Sequence, residues 1–171
     1  MKLKFIRAHM KVAEIYAQLS SAERLKVGAV IVKEDTIIGI GYNGMPSGWA
    51  NVCEKKEYMP SDAANLLSTE EIEQRWPHEE RGKRYNTVTR DEVIHAESNA
   101  ISKVAKSTNS TEGSYLFVTH APCIHCAKLI HQSGITRVFY KETYRDDSGL
   151  KFLEKCGIKV MKISDNYTLE N

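Results

Sequence analysis

No stretch of this chain approaches the ~18 consecutive apolar residues that a membrane-crossing helix needs. The opening residues Met1-Lys2-Leu3-Lys4-Phe5-Ile6-Arg7 carry charge with no apolar segment behind it, so an export leader is not expected. The chain is therefore predicted to work in the cytoplasm, or in a host's cytoplasm if it is viral. It also lacks any block of five like charges, and 24 Lys and Arg against 22 Asp and Glu leave a net charge of only +2. That balance disfavours a long polynucleotide partner, whose affinity would come from many phosphate contacts. Cysteine is scarce, four in 171 residues. A chain of this size buries about two-thirds of its unfolded surface without disulfides, and thiols that are not exported stay reduced and free for metal. With no repeat and no low-complexity tract, residues 1–171 read as one domain.

What is present is a succession of short periodic elements. Ile6, Met10, Ala13 and Ala17 recur at intervals of three and four, which predicts an amphipathic helix over residues 3–19. Two β-branched runs, 27–32 and 36–41, flank the polar Lys33-Glu34-Asp35 and predict a hairpin. From residue 42 to about 91, Gly44, Pro46, Gly48, Pro60 and Pro77 interrupt the pattern, and one or two short helices are expected, one over 63–76 capped by Ser61 or Asp62. Then strand and helix alternate: helix 96–106, strand 115–119, helix 124–133, strand 137–140, helix 150–155 and strand 158–163. Such alternation predicts parallel strands with helical crossovers in a three-layer α/β/α architecture.

Chemistry concentrates at two of the predicted strand-to-helix junctions. Pro122 precedes Cys123-Ile124-His125-Cys126, and His95-Ala96-Glu97 opens the earlier helix. A lone C-x-x-C has redox, structural-metal and chance readings. At a helix start, however, free backbone N–H groups and the macrodipole stabilise thiolates. If both junctions share a sheet edge, one imidazole and two thiolates converge. Three protein ligands leave the fourth tetrahedral position of zinc to water, whereas a structural site is closed by four. His120, His125 and His131 are the fourth-ligand candidates of a closed site, but His125 should point away from a metal held by its neighbours. A purely structural site also leaves Glu97 without a role. Two thiolates and a neutral imidazole cancel the zinc charge, so a base must help deprotonate water. Glu97, beyond the ligand and free of the metal, can take that proton and return it later in a reaction. His9, His78, His120, His125 and His131 sit in no comparable constellation and are read as surface or core.

The order H-x-E followed by P-C-x-x-C is the known signature of zinc-dependent nucleobase deaminases. Together with Gly41-Tyr42-Asn43-Gly44-Met45-Pro46-Ser47-Gly48, Val27 to Val32, Asn99-Ala100-Ile101, Ala127-Lys128 and Ser133-Gly134-Ile135, it resembles the deoxycytidylate deaminases from about Arg24 to Tyr144. The zinc motif is common to every branch of that fold, and the 41–48 loop is more particular to this one. Its glycines let backbone N–H groups approach a phosphate, and Asn43 offers a donor and an acceptor, although the same residues also make an ordinary strand-ending turn.

The resemblance implies a cytidine deaminase-like α/β/α fold with a central mixed sheet of about five strands flanked by helices. An insertion, about 49–92, would lie between the second strand and the catalytic helix. It implies hydrolysis of dCMP to dUMP and ammonia in the supply of thymidylate, with Glu97 catalytic and one zinc on His95, Cys123 and Cys126. Substrate contacts would fall on Asn43, Ala96, Arg24 at the 5′-phosphate and Tyr144 closing over the nucleotide; Arg24 also reads as a solvated charge and Tyr144 as an aromatic at the core edge. It further implies a homo-oligomer, commonly a hexamer, activated by dCTP and inhibited by dTTP. Gly44, Met45, Pro46 and Gly48 would contact the effector, with Mg2+ accompanying a triphosphate. Some relatives hold a second, structural zinc. Here Cys53 and His78 are the residues left for it, with Val93 and Ala22 where acidic and cysteine ligands would stand, so a single zinc is expected. Two rival readings share part of the pattern. A tRNA adenosine deaminase would want a more basic surface, and a non-enzymatic zinc-stabilised binding module would be indifferent to Glu97.

Overall fold

Helix α1 (Leu3–Ala17) opens the computed structural model, which describes residues 1–144 and 146–170. It turns Ile6, His9, Met10, Ala13 and Ala17 inward, as the spacing predicts. β1 (Gly28–Lys33) and β2 (Thr36–Tyr42) form the expected hairpin. Glu34 and Asp35 both take positive φ, 50° and 60°, the turn whose twist matches that of paired strands. An excursion follows, made of β3 (Glu54–Tyr58), α2 (Ala63–Leu66), α3 (Thr69–Arg75), β4 (His78–Glu80) and β5 (Lys83–Thr89). The chain then alternates through α4 (Ala96–Ala105), β6 (Tyr115–His120), α5 (Ile124–Gln132), β7 (Arg137–Glu142), α6 (Ser148–Lys155), β8 (Lys159–Ile163) and the two-residue β9 (Leu169–Glu170).

The main sheet has the order β2-β1-β6-β7-β8-β9. It contains the five strands expected and adds β9 at the edge. β1 runs antiparallel to both β2 and β6, while β6, β7 and β8 are parallel, so the sheet is mixed. α1 covers one face over Val30, Phe117, Phe139 and Ile163; α4, α5 and α6 cover the other over Ala29, Ile31, Leu116 and Val118. These directions bring the start of β1 and the ends of β2, β6 and β7 to one sheet edge. The N-termini of α4 and α5 open at the same edge.

Two glycines fix how closely the layers meet there. A Cβ on Gly41 would lie 2.1 Å from Ala96 O and 2.6 Å from Ala100 N, so α4 is seated directly on β2. On Gly149 it would lie 2.1 Å from Pro122 O and 2.8 Å from the Cys123 carbonyl carbon, which seats α6 against the segment leading into α5.

The excursion departs from expectation. The helix expected over 63–76 is two helices, because Leu67 is extended and Ser68 restarts the chain with a capping box to Glu71. β3, β5 and β4 form a three-stranded antiparallel sheet that periodicity did not reveal. Its strands carry charge on both sides and are mostly exposed, so no alternation of buried and exposed residues marks them. Gly44 and Ile94 close the excursion with paired backbone bonds, Gly44 N–H to Ile94 O at 3.1 Å and Ile94 N–H to Gly44 O at 2.9 Å.

His9 is buried against Phe117, and its Nε2 finds no hydrogen-bond partner among the described residues. Burial pushes its imidazole below the ordinary 6.5, with Asp35 opposing. The unfolded chain takes up a proton near 6.5 that the folded state resists, so stability from neutral His9 is present above that pH and lost as pH falls below it. Replacing it removes an unmet polar group: His9→Phe is expected to stabilise the protein by about 1 kcal/mol at neutral pH, and by more at pH 5.5. Urea midpoints of both proteins at the two pH values check this.

Candidate active site

The two helix starts at the shared edge carry the motif residues. His95 and Cys123 are the N-cap residues of α4 and α5, both extended (φ −69°, ψ 153° and φ −70°, ψ 168°), and Cys126 follows in the first turn of α5. His95 Nδ1 lies 3.4 Å from Cys126 Sγ and 3.7 Å from Cys123 Sγ. Ligands on tetrahedral zinc, with bonds of about 2.05 Å to nitrogen and 2.3 Å to sulfur, stand about 3.6 Å apart. The protein therefore holds the donors at the spacing that zinc requires. Among the described residues no further His, Cys, Asp or Glu joins this group, and His125 is exposed.

The charges of the protein groups are coupled. Cys123 is drawn down to about 3, chiefly by the hydrogen bond from the Cys126 thiol and then by His95. Cys126 is pushed far up by the same bond, by burial and by Glu97. Glu97, 4% exposed, is raised above the usual carboxylate range by burial. His95 is raised by its bond to Cys123. The protein alone thus favours one thiolate, and a divalent cation would offset the second charge that burial resists.

A pocket opens in front of this group, walled by Ala96, Glu97, His95 and Cys123 on the helix side and by Val27, Asn43 and His120 along the sheet edge. The excursion adds Glu54, Thr89 and Val93, and Tyr144, 47% exposed, stands at its rim. Asn43 lines the pocket, but both polar ends of its side chain are engaged: Oδ1 accepts from Val27 N–H and Nδ2 donates to Leu25 O, each at 2.8 Å. One Nδ2 hydrogen is left for a ligand, and the first duty of Asn43 is to hold the 25–27 segment. Arg24 is exposed outside the pocket wall, its Nη1 3.4 Å from Oγ1 of the wall residue Thr89.

A family model described as the cytidine and deoxycytidylate deaminase zinc-binding region matches residues 3–142. The chain belongs to this family. It is 33% identical over 168 residues to the deoxycytidylate deaminase of Enterobacteria phage T4, covering 90% of this chain and 87% of that one. It is 37% identical over 141 residues to the human deoxycytidylate deaminase, covering 80% and 65%. The crystal structure of the dCMP deaminase from cyanophage S-TIM5, in complex with dCMP and dUMP, superposes with a TM-score of 0.74 at 37% identity, covering 95% of this chain and 99% of that one.

The loop residues singled out for an effector in this deaminase-family chain fall outside the pocket. Gly44, Met45, Pro46 and Gly48 line a separate hollow with Trp49, Lys103 and Lys106. Cys53, Ala22 and Val93 are buried together with Met45 packed on them, while His78 is exposed on β4 against Tyr85, so Cys53 and His78 are not brought together. His120, read from the sequence as surface or core, proves to be a pocket residue. Its signal was positional: it continues the inward alternation of Leu116 and Val118 at the end of a strand, three residues before Cys123.

Proposed function

We propose that the protein hydrolyses dCMP to dUMP and ammonia. The observation that carries this reading is the buried carboxyl of Glu97 beside a His-Cys-Cys group with zinc spacing, on the wall of one pocket, in a chain 33% identical to a phage deoxycytidylate deaminase. His95, Cys123 and Cys126 would hold the zinc, which when bound supplies Lewis acidity toward water. Glu97 takes a proton from the attacking water as its oxygen bonds to C4 of the base. It delivers that proton to N3, takes the remaining hydroxyl proton, and gives it to the amine, which leaves as ammonia. Ala96, fully buried in the wall, limits the space beside the ring. Asn43 keeps the 25–27 segment in place, Arg24 lies within reach of the mouth for a 5′-phosphate, and Tyr144 is free to close over it.

The hollow of Gly44, Met45, Pro46 and Gly48 supports a regulatory site for dCTP as activator and dTTP as inhibitor. It is distinct from the catalytic pocket, and Lys103 and Lys106 supply charge for a triphosphate and its Mg2+. Leu19, Trp49 and Ile94, exposed on the same hollow, support burial against further copies in a homo-oligomer such as a hexamer. No helix among the described residues is long and apolar enough to cross a membrane, and a nucleotide substrate fits a cytoplasmic enzyme that supplies thymidylate synthesis.

Ammonia release from cytidine, CMP, dCMP, dCTP and an anticodon stem-loop RNA, each with and without dCTP or dTTP as effector, tests the reading. dCMP is expected to be the preferred substrate, with its rate raised by dCTP and lowered by dTTP. Conversion of the RNA alone would overturn it.

A further inference from the structure

The register of the main sheet places three residues in one row. Gly28 pairs with Tyr42 on one side and Ala29 with Val118 on the other, and continuing that register past the last paired residues sets Val27 beside Asn43 and His120. All three line the pocket. Asn43 and Val27 are tied to each other by the bonds already described. His120 is held by a different chain of bonds: Gly28 N–H donates to Thr119 Oγ1 at 3.1 Å, and that hydroxyl lies 3.1 Å from His120 Nδ1. Thr119 Oγ1 already accepts from Gly28, and no other acceptor for its hydrogen is found among the described residues. The hydroxyl therefore donates to Nδ1, which leaves the imidazole proton on Nε2.

We propose that His120 is a specificity-determining residue, its Nε2–H donating a hydrogen bond to an oxygen of the nucleotide's sugar-phosphate, with Thr119 the positioning residue that sets its tautomer. The inference rests on the nucleotide-deaminase reading given above. Glu97 must lie within hydrogen-bond reach of the reacting base, so the base occupies the helix side, and the rest of the nucleotide extends along the Asn43–Val27–His120 row. No protein group among the described residues is bonded to Nε2. Burial lowers the affinity of the imidazole for a second proton, against the opposing charge of Glu142, its neighbour on β7.

Steady-state kinetics of zinc-loaded wild type and variants, on dCMP and on deoxycytidine, test this. His120→Phe keeps a ring but no donor, and His120→Asn places its amide near Nδ1, short of the Nε2 position. Each is expected to raise KM for dCMP about tenfold, with kcat within about twofold and zinc content unchanged. His120→Gln, whose amide reaches the Nε2 position, should stay within about threefold of wild type. Thr119→Val should reproduce the KM defect and Thr119→Ser should not. A defect on dCMP alone assigns the bond to the phosphate, and an equal defect on deoxycytidine assigns it to the sugar. An unchanged KM in the Phe and Asn variants, a fall in kcat at constant KM, or loss of zinc would overturn the proposal. If wild type prefers another substrate in the panel, the same comparison is made on that substrate, so an error in the choice of dCMP shows separately from an error about His120.

Discussion

Glu97→Gln is expected to lower kcat by about 10²–10⁴-fold while the protein keeps its zinc and its fold. Gln matches Glu in shape, so the buried site at 4% exposure is filled as before. The metal donors are His95, Cys123 and Cys126, none of which changes. What is lost is a group able to take and return a proton. Burial raises the proton affinity of the Glu97 carboxyl, which favours a group that must take a proton from water before passing it on. Stopped assays of ammonia release, with zinc measured by mass spectrometry on the same sample, check it. A near-normal rate in a zinc-replete variant would remove Glu97 from the chemistry and revive the reading of the cluster as a structural site.

Gly41→Ala tests how the fold delivers that geometry, and its expected effect is nearly as large. The added methyl meets Ala96 O at 2.1 Å and Ala100 N at 2.6 Å, backbone atoms that no rotamer change can move. α4 must shift as a whole, and Ala96 stands between His95 and Glu97. Displacing reacting groups by about 1 Å costs on the order of 10²-fold, and overpacking of this kind destabilises by about 1–3 kcal/mol. Gly149→Ala applies the same pressure to the other ligand segment, through Pro122 and Cys123, and is expected to weaken zinc retention more than Gly41→Ala does. Paired measurements of kcat/KM, zinc content and thermal midpoint distinguish the two. Normal activity in Gly41→Ala would mean that α4 is not held in place by its contact with β2.

The core was legible because its elements are two-sided. α1 buries positions at intervals of three and four, which its period records, while β1 and β6 bury continuous runs that show as short apolar, β-branched stretches. The reacting residues were legible for a different reason: Glu97 and the three ligands sit at fixed spacing on helix starts, so local sequence carried their geometry. Residues whose roles depend on the register of distant strands were harder. Asn43 reads as a free donor and acceptor until the 25–27 segment is seen to occupy it, and His120 carries no motif at all. The sheet of the excursion was invisible because β3, Glu54-Lys55-Lys56-Glu57-Tyr58, presents charge to both sides, and the half-buried run of β5 shows no alternation. The break between α2 and α3 was in principle readable from Ser68 and Glu71, a capping box in the middle of the predicted helix.

The neck at Gly44 and Ile94 has an evolutionary corollary. Two main-chain hydrogen bonds hold its ends together whatever the side chains there, so the entry and exit of residues 45–93 are set independently of the sequence between them. That stretch brings Glu54, Thr89 and Val93 to the pocket wall, whereas His95, Glu97, Cys123 and Cys126 all lie outside it. Part of the pocket wall thus lies on a stretch of chain separate from the reacting residues, and can vary in shape and charge while His95, Glu97, Cys123 and Cys126 stay as they are.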